Sequence, residues 1–220
     1  MKSVYQIAIY AFLFWYTIEP CYGQKYFQQE VEYSIDAQLD TSANELKVEC
    51  TIRYTNNSQA VLDTLLFHLW WNALSDKQSA FATQFLAMGL SHFHFSGDSE
   101  MGAYFDLNIA DSGGHLLKYE KYRDHPDIIH IALENRLNPG ETAELKFDYW
   151  LKIPYAFSRF GLIENTYQFT QWYPKPAVYD REGWHPMPYL SFGEFYSEFG
   201  DFEVSLHVPQ HMKLGYTGLL

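Results

Sequence analysis

EVEYSIDAQLDTSANELKVECTIRYTNNS, Glu30 to Ser58, alternates apolar and polar residues on both sides of a short polar break. Val31, Tyr33, Ile35, Ala37 and Leu39 take the odd positions of its first half, and Glu30, Glu32, Ser34, Asp36, Gln38 and Asp40 take the even ones. An apolar period of two places one face of a strand against a core and the other in water. Thr41-Ser42-Ala43-Asn44 is a turn-rich break. Leu46, Val48, Cys50, Ile52 and Tyr54 then alternate again as far as Asn56-Asn57-Ser58. Two such runs joined by a short polar link predict an antiparallel hairpin.

The same signature recurs farther along the chain. Phe105, Leu107 and Ile109 alternate before the turn Asp111-Ser112-Gly113-Gly114. Ile129, Ile131 and Leu133 alternate before Asn138-Pro139-Gly140, and Leu145, Phe147, Tyr149 and Leu151 follow. Phe202, Val204, Leu206 and Val208 alternate near the end. Leu65 to Trp71 (LLFHLWW) is continuously apolar and reads as a fully buried strand. Ser79 to Met88 (SAFATQFLAM) lacks Gly and Pro and spaces Phe81, Phe85 and Met88 at helical intervals, with Gly89 as its stop. Strands punctuated by turns, without interleaved helices, predict a mainly β domain: an antiparallel, saddle-like β-sandwich with one short helix.

A formal net charge of −12 with no basic run excludes a nucleic-acid backbone as partner, since phosphate binding needs clustered Lys and Arg. The 18 Tyr, 17 Phe and 6 Trp suit strands and large packed faces. Residues 1–23 read as a signal peptide: Lys2 leads, Val4 to Ile18 is apolar apart from Gln6 and Thr17, and Glu19-Pro20 ends the run before Gly23. The run is too short for a stable membrane span, which takes ~20 residues. The chain is therefore expected to be exported, to periplasm or medium. An uncleaved anchor, and a lipid at Cys21, remain alternatives. Cleavage would leave residues 24–220 with Cys50 as the single thiol, in a strand pattern that predicts a buried structural cysteine.

Few residue patterns carry chemistry. No His is followed by Glu, so there is no H-E-x-x-H zinc helix, and neither a G-x-S-x-G elbow nor a Gly-rich phosphate loop occurs. His92 and His94, two apart, would share one face of a strand and present two imidazoles, with no third ligand evident. Asp180 and Glu182 flank Arg181 in a charged turn near His185. Asn56-Asn57-Ser58 fits a glycan acceptor in a glycosylating host. No catalytic residue and no metal ligand is assigned. Thr170 to Tyr189 (TQWYPKPAVYDREGWHPMPY) is different. It is too rich in proline for a helix or central strand and too aromatic for a solvated loop. It reads either as a rigid corner packed on a sheet or as one wall of a cleft.

Four motifs together bring a resemblance. FHLWWNAL (67–74), NPGETAELKFDYWLKIP (138–154), TQWYPKPAVYD (170–180) and GDFEVSLHVPQHMKLGYTG (200–218) resemble the N-terminal domain of aminopeptidase-N-type zinc metallopeptidases, the gluzincins, in their secreted bacterial branch. The similarity runs from about Tyr26 to Leu220. It implies a β domain, residues 24–220, that packs on a downstream catalytic domain and caps its substrate cleft. The zinc, its ligands and the general base would belong to that domain. This chain, without a zinc site, is expected to be inactive alone. The resemblance places Gln171 beside the first side chain of a peptide substrate. It places Tyr173 where many relatives carry a glutamate for the substrate's amine, a charge that a phenol cannot supply. Two other readings stand beside it. One is a free-standing exported binding module, with Trp172, Tyr173, Trp184 and Tyr189 as a platform for peptide or glycan. The other is an adhesion or assembly sandwich without a small ligand.

Overall fold

The computed structural model of the chain describes residues 26–193 and 195–219. The signal-peptide reading and Cys21 lie outside the described residues. The hairpin forms as its pattern requires. Strands β1 (Glu30–Asp40) and β2 (Glu45–Thr55) pair antiparallel over their full length, Ile35 opposite Cys50 and Ala37 opposite Val48. Every inward residue of the two strands is buried. Asp40 makes the link between them, its Oδ1 accepting from the Ser42 N–H and Oγ–H.

Strand β3 (Leu62–His68) begins a second sheet. The LLFHLWW run does not continue as a strand: after His68 the chain tightens into a 3₁₀ turn, Trp70–Leu74. An unbroken apolar run fits a buried strand and a buried turn of helix equally well, because it has no period to read. The turn sends both indoles inward, and each is at most 1% exposed. Helix α1 (Ala80–Ala87) follows, with Ser79 as its N-cap accepting from the Ala82 N–H and Gly89 beyond its end at φ 78°. Phe81 and Phe85 are buried as their spacing predicts, while Met88 stays exposed.

Strand β4 (Ala103–Asp111) carries a bulge between Phe105 and Asn108, with Asp106 at φ 50°. The bulge shifts the inward parity, so that Tyr104 and Ile109 are both buried and Phe105 is not. Next come β5 (Tyr119–Lys121), β6 (Ile128–Leu137) and β7 (Thr142–Lys152). Then follow short β8 (Gly161–Ile163), β9 (Thr166–Gln168), β10 (Lys175–Pro176), β11 (Val178–Asp180) and β12 (Gly183–His185). The last strand is β13 (Asp201–His207).

The larger sheet has the order β13-β1-β2-β7-β4 and the smaller β10-β3-β6-β5, with β8-β9 and β11-β12 as separate ribbons. Their apolar faces share one core, in which Phe67 of β3 meets Phe147 of β7 at 5.2 Å between ring centroids. The domain is mainly β, a sandwich of antiparallel sheets with one α-helix, as the alternation predicts. The exception is β13, which runs parallel to β1. Burying each large apolar side chain of this core contributes roughly 1.5–3 kcal/mol. Among the described residues no helix is long and apolar enough to cross a membrane.

Candidate functional site

The aromatic segment sits where the two sheets meet, and its backbone is held from below. The Trp71 indole Nε1–H donates to the Thr170 carbonyl at 2.9 Å, and the Tyr104 hydroxyl donates to the Trp172 carbonyl at 2.9 Å. Both donors come from features absent from any periodic reading: the 3₁₀ turn and the parity shift in β4. The Thr170 hydroxyl donates to the Arg159 carbonyl at 3.1 Å. Between the two anchored carbonyls, Gln171 adopts φ 56°, the left-handed region that side chains with a Cβ avoid. Its Oε1 is buried and has no hydrogen-bond partner among the described residues. Strained backbone clusters at functional sites, and a buried acceptor without a partner calls for an explanation.

Tyr173 is half-buried. Its ring meets Tyr33 and Phe202 edge-on, each at 5.2 Å, and Trp172 at 5.8 Å. Burial pushes its phenol up to about 12, so it stays neutral and donates rather than carrying charge. The Lys175 ammonium lies 5.1 Å from the Tyr173 ring centroid and 5.4 Å from that of Trp70. Burial lowers it to about 8, although ring faces favour its charged form. Lys175 pairs with His68 across β10 and β3. Burial, then the Lys175 charge, hold His68 near 3. Its Nε2 accepts from the Met187 N–H at 3.1 Å, which puts the proton of the neutral ring on Nδ1. That Nδ1 has no partner among the described residues.

A second clamp holds the far end of the segment. The buried Asp127 Oδ2 accepts from the Tyr189 N–H, while Oδ1 has no partner. Burial pushes this carboxyl up to about 7. The Tyr189 hydroxyl donates to the Ser158 Oγ at 3.0 Å and the Trp70 Nε1–H to the Met187 carbonyl at 3.0 Å. Glu198, half-buried, is raised chiefly by burial; the phenols of Tyr33 and Tyr54 are likewise raised chiefly by burial, and the Glu198 charge adds to that rise. Sequence reasoning missed Asp127, His68, Lys175 and Glu198. Only Lys175 had a signal, its place in the same rigid stretch as Gln171 and Tyr173.

Several sequence expectations are corrected. His92 and His94 lie in the turn 92–95 and not on a strand. The His92 ring packs against Phe85 and Phe157 and the His94 ring against Phe95. Tyr189 is fully buried, so it belongs to no surface platform. Trp172 packs with Phe169 and Tyr173, whereas Trp184 packs with Tyr54 and Tyr179 in a separate group. Asn56 is a poor glycan acceptor. Its buried amide donates to the Ala60 and Leu137 carbonyls and accepts from Ser58. Cys50 is a buried thiol pushed up by desolvation, as its pattern predicts. The Asp180 turn is closed on itself, with Oδ1 accepting from the Glu182 N–H and 2.7 Å from His185 Nε2. That local bonding holds the Asp180 carboxyl below its usual range.

At the Gln171 site an amide, a neutral phenol and an ammonium offer no ligand set that fits zinc. Elsewhere, Asp111, His115 and Glu134 bring ligand atoms within 4.8 Å of one another. There the His115 Nδ1 and Asp111 Oδ2 already satisfy each other at 3.1 Å in solvent.

No protein-family model matches the chain, and no curated protein matches it. Solved structures do. Over 86% of this chain and 34% of its own, a mutant M1 zinc metallopeptidase from Deinococcus radiodurans is similar at 12% identity and TM-score 0.41. The same coverage and identity, with TM-score 0.39, hold for a mutant of that peptidase bound to a Tyr-Ser-Ala substrate. A two-domain M1 zinc metallopeptidase mutant bound to L-arginine is similar over 62% of this chain and 23% of its own, at 14% identity and TM-score 0.34. The chain thus spans about a third or less of the length of these proteins.

Proposed function

We propose that this chain is the substrate-cleft-capping domain of an exported zinc aminopeptidase, and that Gln171 and Tyr173 face the first residue of a peptide. The observation that carries the reading is the anchored Gln171. Two buried aromatic side chains hold the carbonyls on either side of it, and the strained residue between them keeps an unsatisfied amide oxygen. The motif resemblance of the TQWYPKPAVYD stretch supports the same assignment. A turn of the Gln171 side chain, whose Oε1 is shielded from solvent in this chain, would bring that oxygen to a peptide N–H or ammonium. The neutral Tyr173 hydroxyl would add a second polar contact beside ring faces that suit an apolar or aromatic side chain. Zinc would activate water and polarise the scissile carbonyl from the catalytic domain. This chain's residues bind and orient only.

The separation of Trp172 from Trp184 and the burial of Tyr189 count against an aromatic platform for glycans. The test joins the chain to the coding sequence that follows it. Gln171→Ala in the joined enzyme should change the ratio of kcat/KM between substrates that differ in their first residue by on the order of tenfold, with zinc content unchanged. A downstream sequence without H-E-x-x-H, or an unaltered preference, sinks the reading.

A further inference from the structure

The outer face of the larger sheet, the side away from the core, carries one row that departs from its neighbours. Across the five strands His207, Gln38, Lys47, Trp150 and Phe105 lie side by side. The flanking rows hold Asp36, Glu49 and Asp148 on one side, and Asp40, Glu45 and Lys152 on the other. Two large rings, each partly exposed, thus stand together among carboxylates. Their centroids are 6.2 Å apart and their planes 24° from parallel.

Phe105 reaches this face through an irregularity. In an unbroken strand Phe105, Leu107 and Ile109 would share one side, and Ile109 is buried in the core. The bulge between Phe105 and Asn108, with Asp106 at φ 50°, turns Phe105 outward beside Trp150. A phenyl ring is taken out of the core, at the cost of a left-handed residue, and widens an aromatic floor. Bulges and strained residues of this kind concentrate next to functional sites, where they re-aim side chains.

Beside the indole lies a groove of about 320 Å³, lined in part by Trp150, Gln38, Lys47, Ser42 and Pro209. Its floor is a flat ring, and its rim offers an amide, an ammonium and a hydroxyl. The Lys47 ammonium stands 4.0 Å from the Glu49 carboxylate and keeps donors to spare. The five carboxylates and single ammonium of the flanking rows repel nucleic acids and anionic polymers. A sugar ring suits what remains. Its C–H faces carry slight positive charge and lie well on the negative face of an indole or phenyl ring, while its hydroxyls both give and accept hydrogen bonds at the rim.

We propose that Trp150 and Phe105 form a docking platform for a neutral polysaccharide of hexopyranose units, with Gln38 and Lys47 hydrogen-bonding its hydroxyls. The platform is separate from the Trp172 and Trp184 groups and independent of the Gln171 reading. Native gels cast with hydroxyethylcellulose, laminarin, glycogen or galactomannan test it on the whole chain. At least one should retard the wild type relative to a gel without polysaccharide. Trp150→Ala should raise the apparent Kd at least about tenfold with circular dichroism unchanged. Trp150→Tyr, which keeps a flat ring, should retain most of the binding. Phe105→Ala, outside the core, should weaken it by a smaller factor and gives the readout if the indole is needed for folding. Trp172→Ala should leave it unchanged. No retardation in any of the four gels overturns the proposal. So does binding that survives both Trp150→Ala and Phe105→Ala, or binding lost equally in Trp172→Ala.

Discussion

The strands β1, β2 and β7 and the segment from Thr170 to Tyr189 hold similar numbers of aromatic side chains for opposite purposes. In the strands every inward residue obeys a period of two, and pairing runs for eleven residues without a shift. Their unpartnered buried atoms are the neutral hydroxyls of Tyr54 and Tyr149. In the segment pairing comes in pieces of two or three residues, and prolines stiffen what lies between. The unpartnered atoms there, and on the residues that clamp it, belong to an amide at a strained φ, a buried carboxyl and a buried imidazole. One region is consistent at every level and supplies stability. The other breaks local rules and is held in place by its neighbours, which is where function is expected.

The largest test of that contrast is Phe147→Ala at the centre of β7. It removes a ring 1% exposed between the two sheets and should cost about 3–5 kcal/mol in urea unfolding. Trp172→Ala, on the half-buried segment, should cost clearly less. Equal losses would erase the distinction between framework and site.

Asp127 gives the next effect. Its folded carboxyl sits near 7, above the ordinary value of 3.8, so the folded state holds its proton longer than the unfolded state does. The stabilisation is fully present below about pH 4 and is lost as pH rises through 7. Asp127→Asn keeps an acceptor for the Tyr189 N–H without the buried charge. Unfolding at pH 5 and pH 8 should show wild type losing stability with pH by up to a few kcal/mol more than the variant. Parallel pH profiles would show that the Tyr189 clamp does not depend on this charge.

The smallest effect concerns Gln171. Replacement by Gly relieves the left-handed strain and should leave thermal stability equal or higher by up to ~1 kcal/mol, whereas Gln171→Val should lower it. A Gly variant that is clearly less stable would mean that the side chain packs for structure and is no substrate-facing group.

Much of the framework was legible because burial on one face of a strand writes a period of two into the chain. The hairpin from Glu30 to Thr55 and the Ser79-capped helix follow from local spacing, and so does the buried Cys50. The 3₁₀ turn at Trp70, the bulge in β4 and the parallel placement of β13 did not. A uniform apolar run has no phase, a bulge resets the phase without altering composition, and strand direction depends on a partner about 170 residues away. Gln171 and Tyr173 were singled out by sequence, yet what distinguishes Gln171 is the pair of anchors sent up from Trp71 and Tyr104. Apolar faces are written into neighbouring positions along the chain, so local spacing reveals them. Which polar atoms lose water without gaining a partner depends on groups that arrive from distant parts of the fold.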